Sequence, residues 1–168
     1  ISKGIKVIDL GMGDTVLPAP ENGISALKKA LDDSSTHHYN YYNGCPFFRE
    51  AVARWMKKRY GVTLDKETEI TAVIGSKEAL FRMPAALIDK GDVAIIPDPA
   101  YPAPASGVEA AGGEVFKIPL KEEDGFLVDF SLIPQDIKKK AKFIYVNYPN
   151  NPTSAVMTSE FAKKLLYE

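Results

Sequence analysis

Apolar strips bounded by Gly, Pro or Asp recur along this chain. Between them run stretches in which apolar residues return every three or four positions. The strips are residues 6–10, 69–74, 93–96, 114–120 and 143–148. Each is short and rich in β-branched or aromatic side chains, which favour a pleated strand. Residues 93–96 and 143–146 are apolar without a break, the pattern of strands in a mainly parallel sheet covered on both faces. In the intervening stretches, Ile24, Leu27 and Leu31 share one helical face, with Lys28 and Lys29 outside it. Pro46 opens a second helix carrying Phe48, Val52, Trp55 and Met56, and Gly61 closes it, so proline and glycine stand where helix ends favour them. A third helix is predicted over 77–89, kinked at Pro84 and closed by Gly91. Shorter helices are predicted over 106–111 and 158–167. Strands alternating with helices predict an α/β fold.

The length, 168 residues, suits one domain with a core of its own. A formal net charge of -1 provides no global field for nucleic acid or an anionic membrane. Lys138, Lys139, Lys140 and Lys142 form one basic cluster, which beside Asp136 reads as the solvated end of a short helix. The single cysteine, Cys45, has no internal disulfide partner, and a lone thiol suits a reducing cytoplasm. No apolar run approaches the roughly 20 residues that span a bilayer. The chain opens at Ile1, inside an expected strand and without Met, so its beginning is expected to be trimmed.

Three junctions carry candidate chemistry. The expected strand 69–74 runs through Gly75, Ser76 and Lys77 straight into a helix, which aims free backbone N–H groups and the positive helix end at one point. An anion fits there, although a strand–glycine–helix junction without any ligand is also a common structure. It is not a P-loop, and Gly11-Met12-Gly13 lacks the third glycine of a dinucleotide fingerprint. Pro97, Asp98, Pro99, Ala100, Tyr101 and Pro102 follow the next strand, at the end of a sheet where α/β proteins bind ligands. Tyr101 on so stiff a loop offers a face for a flat heteroaromatic ring, or simply covers the sheet edge. Asn147 to Thr153, with Pro149 and Pro152 flanking two asparagines, makes an extended polar turn with side-chain amides to donate, or only a turn.

Taken in order, these blocks resemble the class I/II aminotransferases, enzymes of fold type I that depend on pyridoxal phosphate. The resemblance rests on Leu10-Gly11-Met12-Gly13-Asp14, Tyr39 with Gly44 and Arg49-Glu50-Ala51-Val52-Ala53, Gly75-Ser76-Lys77-Glu78-Ala79-Leu80, Gly91-Asp92, Asp98-Pro99-Ala100-Tyr101-Pro102 and Asn150-Asn151-Pro152-Thr153. It covers essentially the whole chain, and between Gly75 and Thr153 it is nearest the diaminopimelate-type and aspartate-type members.

The resemblance implies a partial three-layer α/β/α large domain with a mainly parallel, incomplete sheet. Residues 1–45 would begin the small domain and an interface loop, and 46–168 would be the first part of the cofactor-binding domain. Gly75, Ser76 and Lys77 would cradle the phosphate of pyridoxal 5'-phosphate, Tyr101 would stack on its ring, and Asn151 would bond its phenolic oxygen. Tyr39 would reach a neighbouring subunit's phosphate across a homodimer, and Gly13 would lie beside the substrate carboxylate. Ser154 stands where the family usually carries glycine, and a positive φ would be less comfortable there. In family order the lysine that holds the cofactor, the aspartate at the ring nitrogen and the carboxylate-binding arginines come after the Asn-Pro-Thr block. The chain is therefore expected to be an amino-terminal part, inactive alone, with residues 143–148 left on an exposed sheet edge. A longer protein, a partner chain or a broken gene would each account for that. The implied activity is transfer of an amino group between an amino acid and a 2-oxo acid, in the cytoplasm. The alternatives are a related fold-type I enzyme, such as a C–S lyase or an aminocyclopropane-carboxylate synthase, and a non-catalytic domain.

Overall fold

The computed structural model describes residues 4, 8, 13, 15, 17–39 and 42–167. Apart from Ile8, the expected strand 6–10 lies outside them. In chain order the elements are α1 (Glu21–Leu31), α2 (Pro46–Tyr60), α3 (Gly75–Arg82), α4 (Pro84–Leu87), β1 (Val93–Asp98), α5 (Ala103–Ala110), β2 (Glu114–Pro119), α6 (Gln135–Lys140), β3 (Ala141–Ile144) and α7 (Ser159–Leu165).

The three strands form a parallel sheet in the order β2-β1-β3. β1 lies in the middle and is buried from Val93 to Pro97, which explains why its sequence shows no polar alternation. Alternate residues of β1 face opposite layers. Ile95 packs with Ile118, Val128, Phe130, Ile133 and, from α7, Phe161. Ala94 and Ile96 pack with Ile88 and, from α5, Val108. Chain on both faces of a parallel sheet makes the three-layer α/β arrangement that the family resemblance implies. On the second face α5 lies against α3 so closely that a Cβ on Gly107 would strike the backbone of Phe81.

Local signals explain α2. Pro46 is at its first turn, and Gly61 ends it at φ +73°, donating its N–H to the Lys57 carbonyl at 3.0 Å. Arg49, 4% exposed, points inward from this helix. It donates to the carbonyls of Gly44 (3.2 Å) and Lys66 (2.6 Å) and to the Glu67 carboxylate (2.9 Å), so one side chain ties the helix start to the turn that follows it.

Three expectations need correction. Residues 69–74 are not a strand. Their main-chain bonds include one from the Ala72 N–H to the Asn43 carbonyl at 3.1 Å, and they run beside the 42–43 turn instead of along the sheet. Strand composition was present, but a strand also needs a neighbour to pair with. The third helix is two: α3 ends at Arg82, Pro84 opens α4, and the chain leaves α4 at Leu87 so that Ile88 becomes extended and enters the core. The last strand begins earlier and ends sooner than 143–148, pairing over Ala141–Ile144. Tyr145 makes one further bond to the Ile95 carbonyl, at 2.9 Å, before the chain departs.

Candidate functional site

Two loops leave the carboxyl ends of the adjacent parallel strands β1 and β3, and they meet. In the first, residues 97–102, the Asp98–Pro99 bond is cis; in the second, residues 145–155, Tyr148–Pro149 and Asn151–Pro152 are cis. Asn150 joins them. Its side-chain amide donates to the Pro99 carbonyl at 3.3 Å and to the Thr153 hydroxyl at 3.0 Å. Its own N–H bonds the Ala155 carbonyl at 2.9 Å, and its carbonyl accepts from the Ser154 N–H at 2.7 Å, closing the second loop upon itself.

Aromatic side chains of the second loop hold it to both layers. Tyr148 donates its hydroxyl to the Phe126 carbonyl at 3.1 Å, accepts from the Val128 N–H at 3.2 Å, and meets Phe161 edge to face. Burial pushes its phenol above the ordinary value of 10.0. Tyr145 packs on the opposite layer, in the group that includes Ala100. Its phenol is also pushed up, chiefly by burial and further by the phenol of Tyr101.

The third junction opens α3. Gly75 has φ +74°, a conformation natural to glycine, with open space around it. No side chain caps the helix. The Glu78 carboxylate accepts the N–H of Ile74 at 2.6 Å and pairs with Arg82 at 3.1 Å, which leaves the amides of Ser76 and Lys77 uncovered by any cap. Gly75, Ser76 and Lys77 are all exposed.

Of the residues singled out in the sequence, Tyr101 and Asn151 sit on the two joined loops, the tyrosine half-buried and the asparagine exposed. Ser76 opens α3, which packs on α5, and the first residue of α5 follows Tyr101 by two. Tyr39 and Gly13 are exposed, and among the described residues no hydrogen bond ties either to the loops. A cavity of about 170 Å³ lies elsewhere, beside β3, lined by Ile133, Ile144, Leu165 and Lys138 among others and by none of these candidates. Among the described residues no cluster of His, Cys, Asp and Glu suits a metal, and no helix is long and apolar enough to cross a membrane. No local signal in the sequence separates Asn150 from Asn151. Only the burial of Asn150 and its bond across 51 positions reveal the difference.

This arrangement has relatives. The profile of the family described as aminotransferase class I and II matches residues 5–167. The chain belongs to this family. An LL-diaminopimelate aminotransferase of Aquifex aeolicus is 50% identical over 166 residues, covering 99% of this chain and 43% of that protein. Among solved structures, apo-BacF of Bacillus subtilis superposes with a TM-score of 0.91 at 40% identity, over 98% of this aminotransferase chain and 42% of that one. A probable N-succinyldiaminopimelate aminotransferase of Thermus thermophilus gives 0.87 at 38% identity, over 99% and 45%. This chain therefore spans less than half the length of these relatives.

Proposed function

We propose that this chain is the amino-terminal part of a pyridoxal phosphate-dependent aminotransferase that exchanges an amino group between an amino acid and a 2-oxo acid. The amino donor proposed is of diaminopimelate type, in keeping with the names of relatives at 42–50% identity. The observation that carries the cofactor assignment is the junction of the Tyr101 and Asn151 loops at the carboxyl end of a parallel sheet.

The donor set suits the cofactor. The amides at the start of α3, with the Ser76 hydroxyl and the Lys77 ammonium, match a phosphate. Tyr101 offers a face to the ring, and the exposed Asn151 amide has a donor for its phenolic oxygen. When bound, the cofactor supplies an electron-withdrawing ring and the carbon that exchanges the amino group. The protein's share is to fix the phosphate at one end, hold the ring flat against Tyr101 and leave room at Gly13 for a substrate carboxylate. Residues 1–45 are proposed to start the small domain and interface loop, and 46–168 the large domain. Tyr39, fully exposed, is proposed to serve the site of a second subunit in a homodimer. A cytoplasmic location follows from the same reading.

Equilibrium dialysis of pyridoxal 5'-phosphate against the whole protein tests the assignment. Ser76→Ala and Tyr101→Ala are each expected to weaken binding about tenfold, the scale of one lost hydrogen bond to a charged group or one stacking contact. Binding that is absent, or indifferent to both substitutions, removes the assignment. For the whole protein, formation of an amino acid from a 2-oxo acid with LL-diaminopimelate as donor tests the substrate class. Turnover confined to other donors would reject the diaminopimelate type and keep the family chemistry.

A further inference from the structure

We propose that Asn150 is a positioning residue that clamps the two loops of the site together and so sets the separation between Tyr101 and Asn151; this rests on the cofactor-binding reading above. The two neighbouring asparagines have divided the work. Asn151 is exposed, whereas Asn150 is 5% exposed, one of two polar or charged residues among those described that are buried to this degree, the other being Arg49. A buried amide is stable only with partners, and Asn150 has them on both loops.

The orientation of that amide is decided by its surroundings. The Pro99 oxygen is a carbonyl and only accepts, so the NH2 end of Asn150 must face it, at 3.3 Å. The same nitrogen reaches the Thr153 hydroxyl at 3.0 Å. Pro99 lies two residues before Tyr101, and Asn150 one residue before Asn151. A clamp at this point therefore acts on both proposed ligand contacts within two residues of each. Its backbone is also engaged, to Ala155 and Ser154, so the side chain reaches out from the closed base of its own loop. Loops at the ends of separate strands can shift relative to one another unless a contact such as this one joins them. A ligand that needs a stacking face and an amide donor at once gains affinity when their spacing is set beforehand.

Asn150→Asp tests this with little change of shape. A carboxylate in that place has no donor and turns an oxygen toward the Pro99 carbonyl. The milder Thr153→Val removes one of the two acceptors, and Ile133→Val, in the core of the other layer, serves as a control for stability alone. Without ligand, in a chain with labelled tyrosine rings, Asn150→Asp is expected to shift the ring signals of Tyr101 and Ile133→Val to leave them in place. With pyridoxal 5'-phosphate, Asn150→Asp is expected to weaken binding about tenfold or more, and Thr153→Val less, as one or two hydrogen bonds are lost. At saturation it is also expected to alter the visible circular dichroism of the bound cofactor, which reports how the ring is held. Tyr101 signals that stay in place in Asn150→Asp overturn the clamp, whatever the ligand does. Affinity and dichroism that fall only in proportion to thermal stability, as in the control, overturn its positioning role. A parent chain that binds no cofactor, with Tyr101 signals that still move, sinks the cofactor assignment and leaves the coupling of the loops standing.

Discussion

At Ser154 the backbone has φ +61°, in the left-handed region where a Cβ crowds the following carbonyl. The conformation is imposed by the loop, because the Ser154 N–H must reach the Asn150 carbonyl at 2.7 Å. The family resemblance implies glycine at this position, and the positive φ gives a reason for it. Ser154→Gly is expected to raise stability by about 0.5–1 kcal/mol, since the relief of crowding exceeds the added freedom of the unfolded chain. Ser154→Val, with a β-branched side chain, is expected to lower it by more than about 1 kcal/mol. Urea unfolding midpoints of the two variants against the parent check the opposite signs. The asparagine pair shows the limit of such reading. Asn150 and Asn151 are identical in type and adjacent, and nothing local tells which one turns inward. The choice depends on a proline carbonyl 51 positions away.

Elements differ in how far their sequences foretell them. α2 was legible from end to end because a proline opens it and a glycine at φ +73° closes it, both local effects. The contact of α3 with α5 was not, since it depends on what faces Gly107. A methyl group there would meet the Phe81 backbone, which has no flexible end to move aside. Gly107→Ala is expected to cost about 1–3 kcal/mol, as overpacking does. The same substitution at Gly23 in α1, where the space is open, is expected to stabilise by up to about 1 kcal/mol through helix propensity. Thermal unfolding of the two variants should move in opposite directions. Tyr148 supplies a pH test of the loop that follows β3. Its folded phenol ionises above 10.0, the ordinary value, so in rising pH the unfolded chain loses its proton first. The stabilisation is complete below that value and fades as pH climbs through the folded value. Unfolding measured at neutral pH and above pH 10.0 should show this decline, and Tyr148→Phe should flatten part of it while costing about 1 kcal/mol at neutral pH for the lost bonds to Phe126 and Val128.

At the scale of the molecule, the chain exposes 13131 Å², against roughly 8200 Å² for a compact monomer of its length. Large apolar side chains are among what is exposed. α1 buries none of its residues, and Leu27 and Leu31 are each 64% exposed, although the helical stripe they form is clear in the sequence. Phe47, Trp55 and Ile74 are exposed too, and β3 is an edge strand. Surfaces of this kind mark places that other protein covers. The isolated chain is expected to bind a hydrophobic dye and to sediment above the mass of a single copy. A monodisperse, dye-free monomer in analytical ultracentrifugation would contradict this. If, as proposed, a second subunit and further chain cover these faces in a longer protein, that protein is expected to bind far less dye.

The order of blocks, the ends of α2, the apolar strand β1 and the discomfort at Ser154 were determined by the sequence itself, because each depends on neighbours a few residues away or on a motif kept in line. Tertiary structure alone decided that residues 69–74 would not pair, that α1 would show its apolar stripe, and that Asn150 would be buried between two loops while Asn151 is exposed. Those outcomes depend on which distant surfaces meet. Burial and hydrogen-bond partnership are properties of the meeting, and no short stretch of chain contains them.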